Sequence, residues 1–255
     1  MIKRNYYKVV RVFPDPSSYF YIKNESMNRG QITFKSSWLN TVNLEYSFDK
    51  VNWSLISSSN TWIDNVPADS YVYFRNTSGT FCTSEYDNVL TPFFKLSIGG
   101  DVRTLFNYTD VDSVTAIPDY GFNNPIGNGI GNGSGSVGST EIIDISNLSF
   151  RGITSIGNYG LYNAFIFKDT FTKGVDLRDV TTLGEGALNE MYYHCHNLTE
   201  AYAPNVSTWD TNKSQSWLDD VAPTGVVYKP STLTIPQGDS SDIPSGWTTQ
   251  DYPTI

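Results

Sequence analysis

Over the first third of the chain apolar and polar residues alternate in short runs, the period expected of half-buried strands. Residues 6–13 (YYKVVRVF), 19–23, 31–35, 44–48, 53–56, 62–63 and 71–74 each read as a strand. Turn chemistry punctuates them: Pro14-Asp15-Pro16-Ser17 after the first, Asp49-Lys50 closing a hairpin between 44–48 and 53–56, and Val66-Pro67-Ala68-Asp69 before the last. Short strands at intervals of about 8 to 12 residues predict a small antiparallel sandwich that ends near residues 76–82. A further strand is predicted over 93–98, stopped by Gly99-Gly100, and 102–108 reads as a short helix or strand.

The pattern then changes from alternation to repetition. Sliding the stretch 181–206 (TTLGEGALNEMYYHCHNLTEAYAPNV) back by about 26 residues sets Ile156-Gly157 over Leu183-Gly184, Leu161 over Leu188, and Asp179-Val180 over Asn205-Val206. Asn147-Leu148 reads as a third copy of that ending. Units of roughly 20 to 29 residues with a short strand closed by Asn or Asp are those of leucine-rich solenoids, in which neighbouring turns must stack to bury their apolar edges. Short helices are predicted over 161–165 and 187–193. From Trp209 the pattern breaks, and Trp217, Tyr228 and Trp247 read as a cap over the exposed end.

Between these parts lies a Gly- and Asn-rich loop over 121–138. Gly133 to Gly138 spells G-x-G-x-x-G, but a β-rich segment follows where a dinucleotide site needs a helix, so nucleotide binding is not expected. A flexible surface loop, or one ordered against a neighbouring subunit, fits better.

Composition sharpens the picture in three ways. Charged residues make up 17% of the 255 residues and aromatics 15%, which suits strands and polar loops. The net charge of -9 excludes a phosphate-backbone partner for the body of the protein, although Lys3, Arg4, Lys8 and Arg11 give the N-terminus a basic arm. The opening MIKRNYYKVVRVF lacks the uninterrupted apolar run of an export signal and no stretch has the length of a membrane span, so no membrane role is expected. Cys82 and Cys195 show no zinc or redox spacing and read as buried free thiols.

Three blocks of residues carry a resemblance to a known family. The run Gln31-Ile32-Thr33-Phe34, Leu44 to Asp49, Trp53 and Val72 to Arg75 is similar to the β-rich leader of BspA-type leucine-rich repeat proteins. Met191-Tyr192-Tyr193-His194-Cys195-His196-Asn197-Leu198-Thr199 resembles their repeat core. Trp217-Leu218, Val221 to Gly225 and Ile243 to Thr248 resemble their closing segment. The resemblance spans nearly the whole chain and implies that Cys195 is a packed core thiol. Relatives of this type occur as surface proteins of gut anaerobes and among structural proteins of their bacteriophages, crAss-like phages included. The missing export signal favours the phage.

Candidate chemistry is sparse. His194 and His196 are the chain's two histidines, so a Cys-His or Ser-His-Asp site must use one of them. The H-x-H pair supplies two metal ligands per chain, too few for a site within one monomer, and would need an oligomer axis to complete it. Asp110 with Asp112, or Asp239 with Asp242, lack the ligand density of a calcium loop. Tyr192 and Tyr193 offer faces for a glycan.

Together these readings predict a mainly β chain. An N-terminal antiparallel β-sandwich with its basic arm covers 1–90, connecting strands and the Gly-rich loop cover 91–141, and a short capped leucine-rich-repeat solenoid with short helices covers 142–255. The resemblance implies a non-enzymatic virion structural protein, a head fibre or capsid decoration, with other capsid proteins as partners and a homodimer or trimer as its state. A glycan-binding tail receptor protein and a bacterial surface adhesin are the alternatives. No catalytic residue, cofactor or metal ligand is assigned.

Overall fold

Burial alternates along the first strands as the sequence pattern requires. In β1 (Phe20–Asn24) Phe20, Ile22 and Asn24 point inward, and in β6 (Tyr71–Asn76) Val72, Phe74 and Asn76 do. The computed structural model describes residues 19–34, 43–56, 61–77, 90–123, 142–166, 168–238 and 243–253. The basic arm and strand predicted before residue 19, Cys82, nearly all of the Gly-rich loop, and Asp239 and Asp242 lie outside the described residues.

The chain is mainly β, with one short α-helix, α1 (Thr104–Asn107), among the described residues. No helix there is long and apolar enough to cross a membrane. A six-stranded sheet contains β1, β3 (Leu44–Ser47), β4 (Ser54–Leu55), β6, β8 (Leu96–Asp101) and β10 (Ile142–Ser149), in the order β10-β8-β1-β6-β3-β4. Its pairings are antiparallel except for β10 beside β8. A second, antiparallel sheet has the order β5-β2-β7, from β2 (Gly30–Phe34), β5 (Thr61–Val66) and β7 (Leu90–Pro92). Phe20, Ile22, Val72 and Phe74 of the first sheet share one core with Ile32, Phe34 and Ile63 of the second. The buried Asn24 amide ties them, donating from β1 to the carbonyls of Val66 at 3.2 Å and Pro67 at 3.0 Å. The predicted hairpin forms, pairing Glu45 with Leu55 and Tyr46 with Ser54, and the Asp49 carboxylate accepts from the amides of Val51 and Asn52 at its tip.

Gly99-Gly100 does not stop the strand, as the sequence suggested, but runs inside β8. Gly100 has φ +83, and a Cβ there would collide with the Tyr19 carbonyl. A close backbone approach, not a chain break, is what these glycines allow. The predicted boundaries at 90 and 141 also cut through the sheets. β7 and β8 belong with the N-terminal strands, and β10 joins the same sheet beside β8, so 91–141 is not merely a connector.

Beyond this point successive turns of the chain stack in parallel. β9 (Ala116–Ile117), β11 (Ser155–Ile156) and β12 (Thr182–Leu183) form one three-stranded sheet, with Ile156 over Leu183 as the internal alignment predicted. β13 (Glu200–Tyr202), β14 (Gly225–Lys229) and β15 (Trp247–Asp251) form another. The third copy expected at Asn147-Leu148 lies instead in β10, because the inter-coil bond from Thr181 N–H to Thr154 O places Ile153, not Leu148, beneath Val180. The C-terminal segment does not simply fold across the end, since β14 and β15 extend the parallel sheet by two strands. Trp247 is buried, its Nε1–H donating to Ala222 O at 2.7 Å, while Trp217 lies within the stack against Trp209.

The short helices predicted at 161–165 and 187–193 are absent. Both stretches are ribbons of linked turns. Alternate amides close i→i−3 turns within a coil, as in Gly160 to Gly157, Ala164 to Leu161, Met191 to Leu188 and Cys195 to Tyr192. The amides between them cross to the next coil, as in Tyr159 to Glu185, Leu161 to Ala187, Asn163 to Asn189 and Phe165 to Met191. Continuation to a third coil runs from Leu188 to Lys213, Glu190 to Gln215, Tyr192 to Trp217 and His194 to Asp219. The third residue of every second turn is left-handed, and these residues stack in columns: Tyr120, Tyr159 and Gly186; Asn163, Glu190 and Ser216; His194 and Asp220. A helix would leave the faces between coils unbonded, whereas the ribbon satisfies donors in both directions.

Candidate functional site

The described residues that gather chemistry most densely lie on the last left-handed column, at the outer surface of the stack. His194 at φ 57 and Asp220 at φ 53 occupy equivalent positions of adjacent coils, and Asp and His are among the residues that tolerate this conformation best. The inter-coil bond from His194 N–H to Asp219 O, 3.1 Å, fixes their register. His194 Nδ1 is hydrogen-bonded to Asp220 Oδ2. Two residues further on, His196 Nε2 lies 3.2 Å from the same Asp220 Oδ2. Its other ring nitrogen, Nδ1, donates to Asp169 Oδ1 at 2.6 Å, and its backbone N–H reaches the same oxygen at 3.2 Å. The Asn197 amide then ties down the Asp169 carbonyl.

Three consecutive coils thus contribute one cluster. Ligand atoms of His194, His196 and Asp220 all lie within 4.8 Å of one another, and among the described residues no other group of three such side chains does so. Asp169 and then Asp220 hold the His196 imidazole above its usual pKa, and the same pairing, from His196 first, holds the Asp220 carboxyl low. This corrects the count that left the H-x-H pair two ligands short within one chain. A third donor, the Asp220 carboxylate, stands 26 residues after His194, and the Asp169 carboxylate that holds His196 stands 27 before it. That interval is the repeat itself, so the repeat alignment carried the signal.

Cys195, between the two histidines, faces the opposite way. Its thiol is buried and donates to Phe165 O at 3.0 Å, and burial pushes its pKa up to about 12. Burial disfavours the thiolate form, and both imidazoles are engaged outward with aspartates. Lys168 is also buried, which lowers its ammonium pKa to about 8. Tyr192 points inward, its hydroxyl accepting from Val175 N–H at 2.8 Å and its ring stacked on Phe165 at 5.7 Å, so it is closed to a glycan; Tyr193 is half-buried. Asp110 and Asp112 both lie in the 3-10 segment Tyr108–Ser113, where Asp112 pairs with Arg103 at 3.3 Å.

A different kind of surface marks the N-terminal sheets. All seven large apolar side chains that stand exposed among the described residues fall between Met27 and Phe93. Trp62 and Phe93 stack at 5.9 Å with an interplanar angle of 16° on the outer face of the second sheet, and Phe48, Val51 and Leu55 stand exposed along the hairpin. Comparison with protein-family models, with characterised proteins and with solved structures finds no match to this chain.

Proposed function

We propose that the chain is a non-enzymatic structural component of a bacteriophage virion, a head fibre or capsid decoration. Its two N-terminal sheets form a sandwich that docks, and its parallel stack is a short leucine-rich-repeat solenoid of the BspA type that projects outward. The observation that carries this reading is the segregation of exposed apolar side chains. Exposed large apolar side chains on a folded domain mark an interaction surface, and among the described residues they are confined to the N-terminal sheets while none in the stack reaches that exposure. The sealed thiol of Cys195 fits a scaffold and not a nucleophile.

The test is location. Purified virions probed with labelled antibody should carry the protein on the head, and the isolated chain should co-sediment with capsids lacking it. Replacing both Trp62 and Phe93 with Ser should abolish that co-sedimentation without unfolding the chain. Signal at the tail, or unchanged binding by the double variant, would overturn the docking assignment. A glycan-binding tail protein is the second reading, favoured by the half-buried rings of Tyr120 and Tyr159, stacked at 5.4 Å with Tyr162 edge-on beside them on the side of the stack. It requires retention on host cells or glycan arrays, which a head component does not show.

A further inference from the structure

The chain holds two histidines, and the fold brings both to one place with carboxylates from the coils on either side. We propose that His194 Nδ1, His196 Nε2 and Asp220 Oδ2 bind one divalent first-row transition-metal ion per chain, zinc being the natural probe, with Asp169 as the outer carboxylate that orients His196. This assignment is independent of the virion role.

Four observations converge on it. Two imidazoles and one carboxylate are a donor set suited to zinc and its first-row neighbours and poorly suited to calcium or magnesium, which take all-oxygen shells. The separations are close to what coordination requires: ligands about 2.0 to 2.2 Å from a tetrahedral zinc stand roughly 3.3 Å apart, and His196 Nε2 and Asp220 Oδ2 stand 3.2 Å apart. His194 Nδ1 is hydrogen-bonded directly to Asp220, so a small rotation of the half-exposed Asp220 side chain makes the remaining room.

The His196 ring is already held in the orientation a metal needs. Nδ1–H donates to Asp169 at 2.6 Å, so an ion that displaces the Nε2 proton facing Asp220 meets a lone pair directed at the cluster, the carboxylate–histidine–metal arrangement of zinc sites. Finally, the donors stand on stacked backbone and not on a free loop. His194 and Asp220 share a left-handed column, and the His196 amide is held by Asp169 at 3.2 Å. Such support holds donors at fixed separations before an ion arrives. Three protein ligands at an exposed edge leave a coordination position for water or for a donor from another molecule. A bound ion would join the coils carrying 169, 194–196 and 220 by bonds in addition to the backbone ladder.

The experiment uses the full chain, untagged and stripped of metal, titrated with zinc by calorimetry and with cobalt followed by its visible d–d bands. The expected result is one ion per chain and cobalt bands of a site with nitrogen donors. His196→Ala and Asp220→Asn should remove both signals, and Asp169→Asn should weaken zinc binding by about 10 to 100-fold, as loss of an outer carboxylate does. The side chains are exposed enough for the metal-free variants to keep the wild-type circular dichroism. If His196→Ala does not fold, Asp169→Asn, which preserves side-chain volume, carries the test. Absence of zinc uptake by the wild-type chain would overturn the assignment and leave a hydrogen-bonded ion-pair cluster. Uptake unchanged in His196→Ala would overturn it as well, as would one ion per three chains, which would place the histidines on an oligomer axis.

Discussion

The N-terminal sheets and the C-terminal stack bury similar apolar residues by different hydrogen-bond geometries. In the sheets, antiparallel strands pair side by side, and the register follows from the alternation of inward and outward residues, as in Phe20 opposite Phe74 and Ile22 opposite Val72. In the stack, each coil bonds to the coil before and after it, so like residues lie over like: Phe122, Phe165 and Tyr192 pass their rings from coil to coil at 6.3 and 5.7 Å. The sheets can therefore present Trp62 or Phe93 on an outer face without disturbing the core. The stack commits Phe122, Phe165, Tyr192 and Trp217 to its interior, and the tyrosines on its side, Tyr120, Tyr159 and Tyr162, stay half-buried against one another.

That contrast is sharpest for tryptophan. Trp217→Ala, at a site of 0% exposure, should cost about 3–5 kcal/mol of unfolding free energy in a urea titration. Trp62→Ala, at 51% exposure, should stay within about 0.5 kcal/mol. Comparable losses at the two sites would break the comparison. Next in size is Gly100→Ala, which places a Cβ against the Tyr19 carbonyl at φ +83 and should cost about 1–3 kcal/mol by the same measurement. A smaller change, under about 1 kcal/mol, is expected for Ser216→Gly, which relieves a left-handed residue of the stack while loosening the unfolded chain.

The smallest expected effect is electrostatic. Pairing with Asp169 and Asp220 raises the His196 pKa above its ordinary value of 6.5, so metal-free protein has that stabilisation in full below about pH 6.5 and loses it as pH rises through the folded value. A thermal midpoint that falls slightly across that window in wild type and stays flat in His196→Ala would confirm the sign. Thiol labelling separates the regions without energetics: in a Cys82→Ser background Cys195 should resist a thiol reagent until denaturant is added.

Much of this was legible in the residues, and the failures have physical causes. Alternation found the hairpin over 44–55 because one face of each strand is wet, and the repeat alignment set Ile156 over Leu183 because a stacked core demands like over like. The turn ribbons were misread as helices because Tyr159, Asn163 and Glu190 adopt left-handed backbone without a glycine to announce it. The strand through Gly99 and Gly100 was missed because glycine signals both a break and a close approach. Asp169 and Asp220 escaped notice because their relation to the histidines exists only across coils, once the period is applied to the surface as well as to the core.

The columns of left-handed residues bear on how such a chain could lengthen or shorten over time. Tyr, Asn, Glu, His, Ser and Asp all hold a backbone shape that costs roughly 1 kcal/mol each in isolation, and they keep it because adjoining coils grip both sides. Gaining or losing one amino acid inside a ribbon would move every later member out of its column, while gaining or losing a complete period would leave all columns aligned. The natural step of change is therefore one whole coil, and material that does not fit that step has to leave the column altogether.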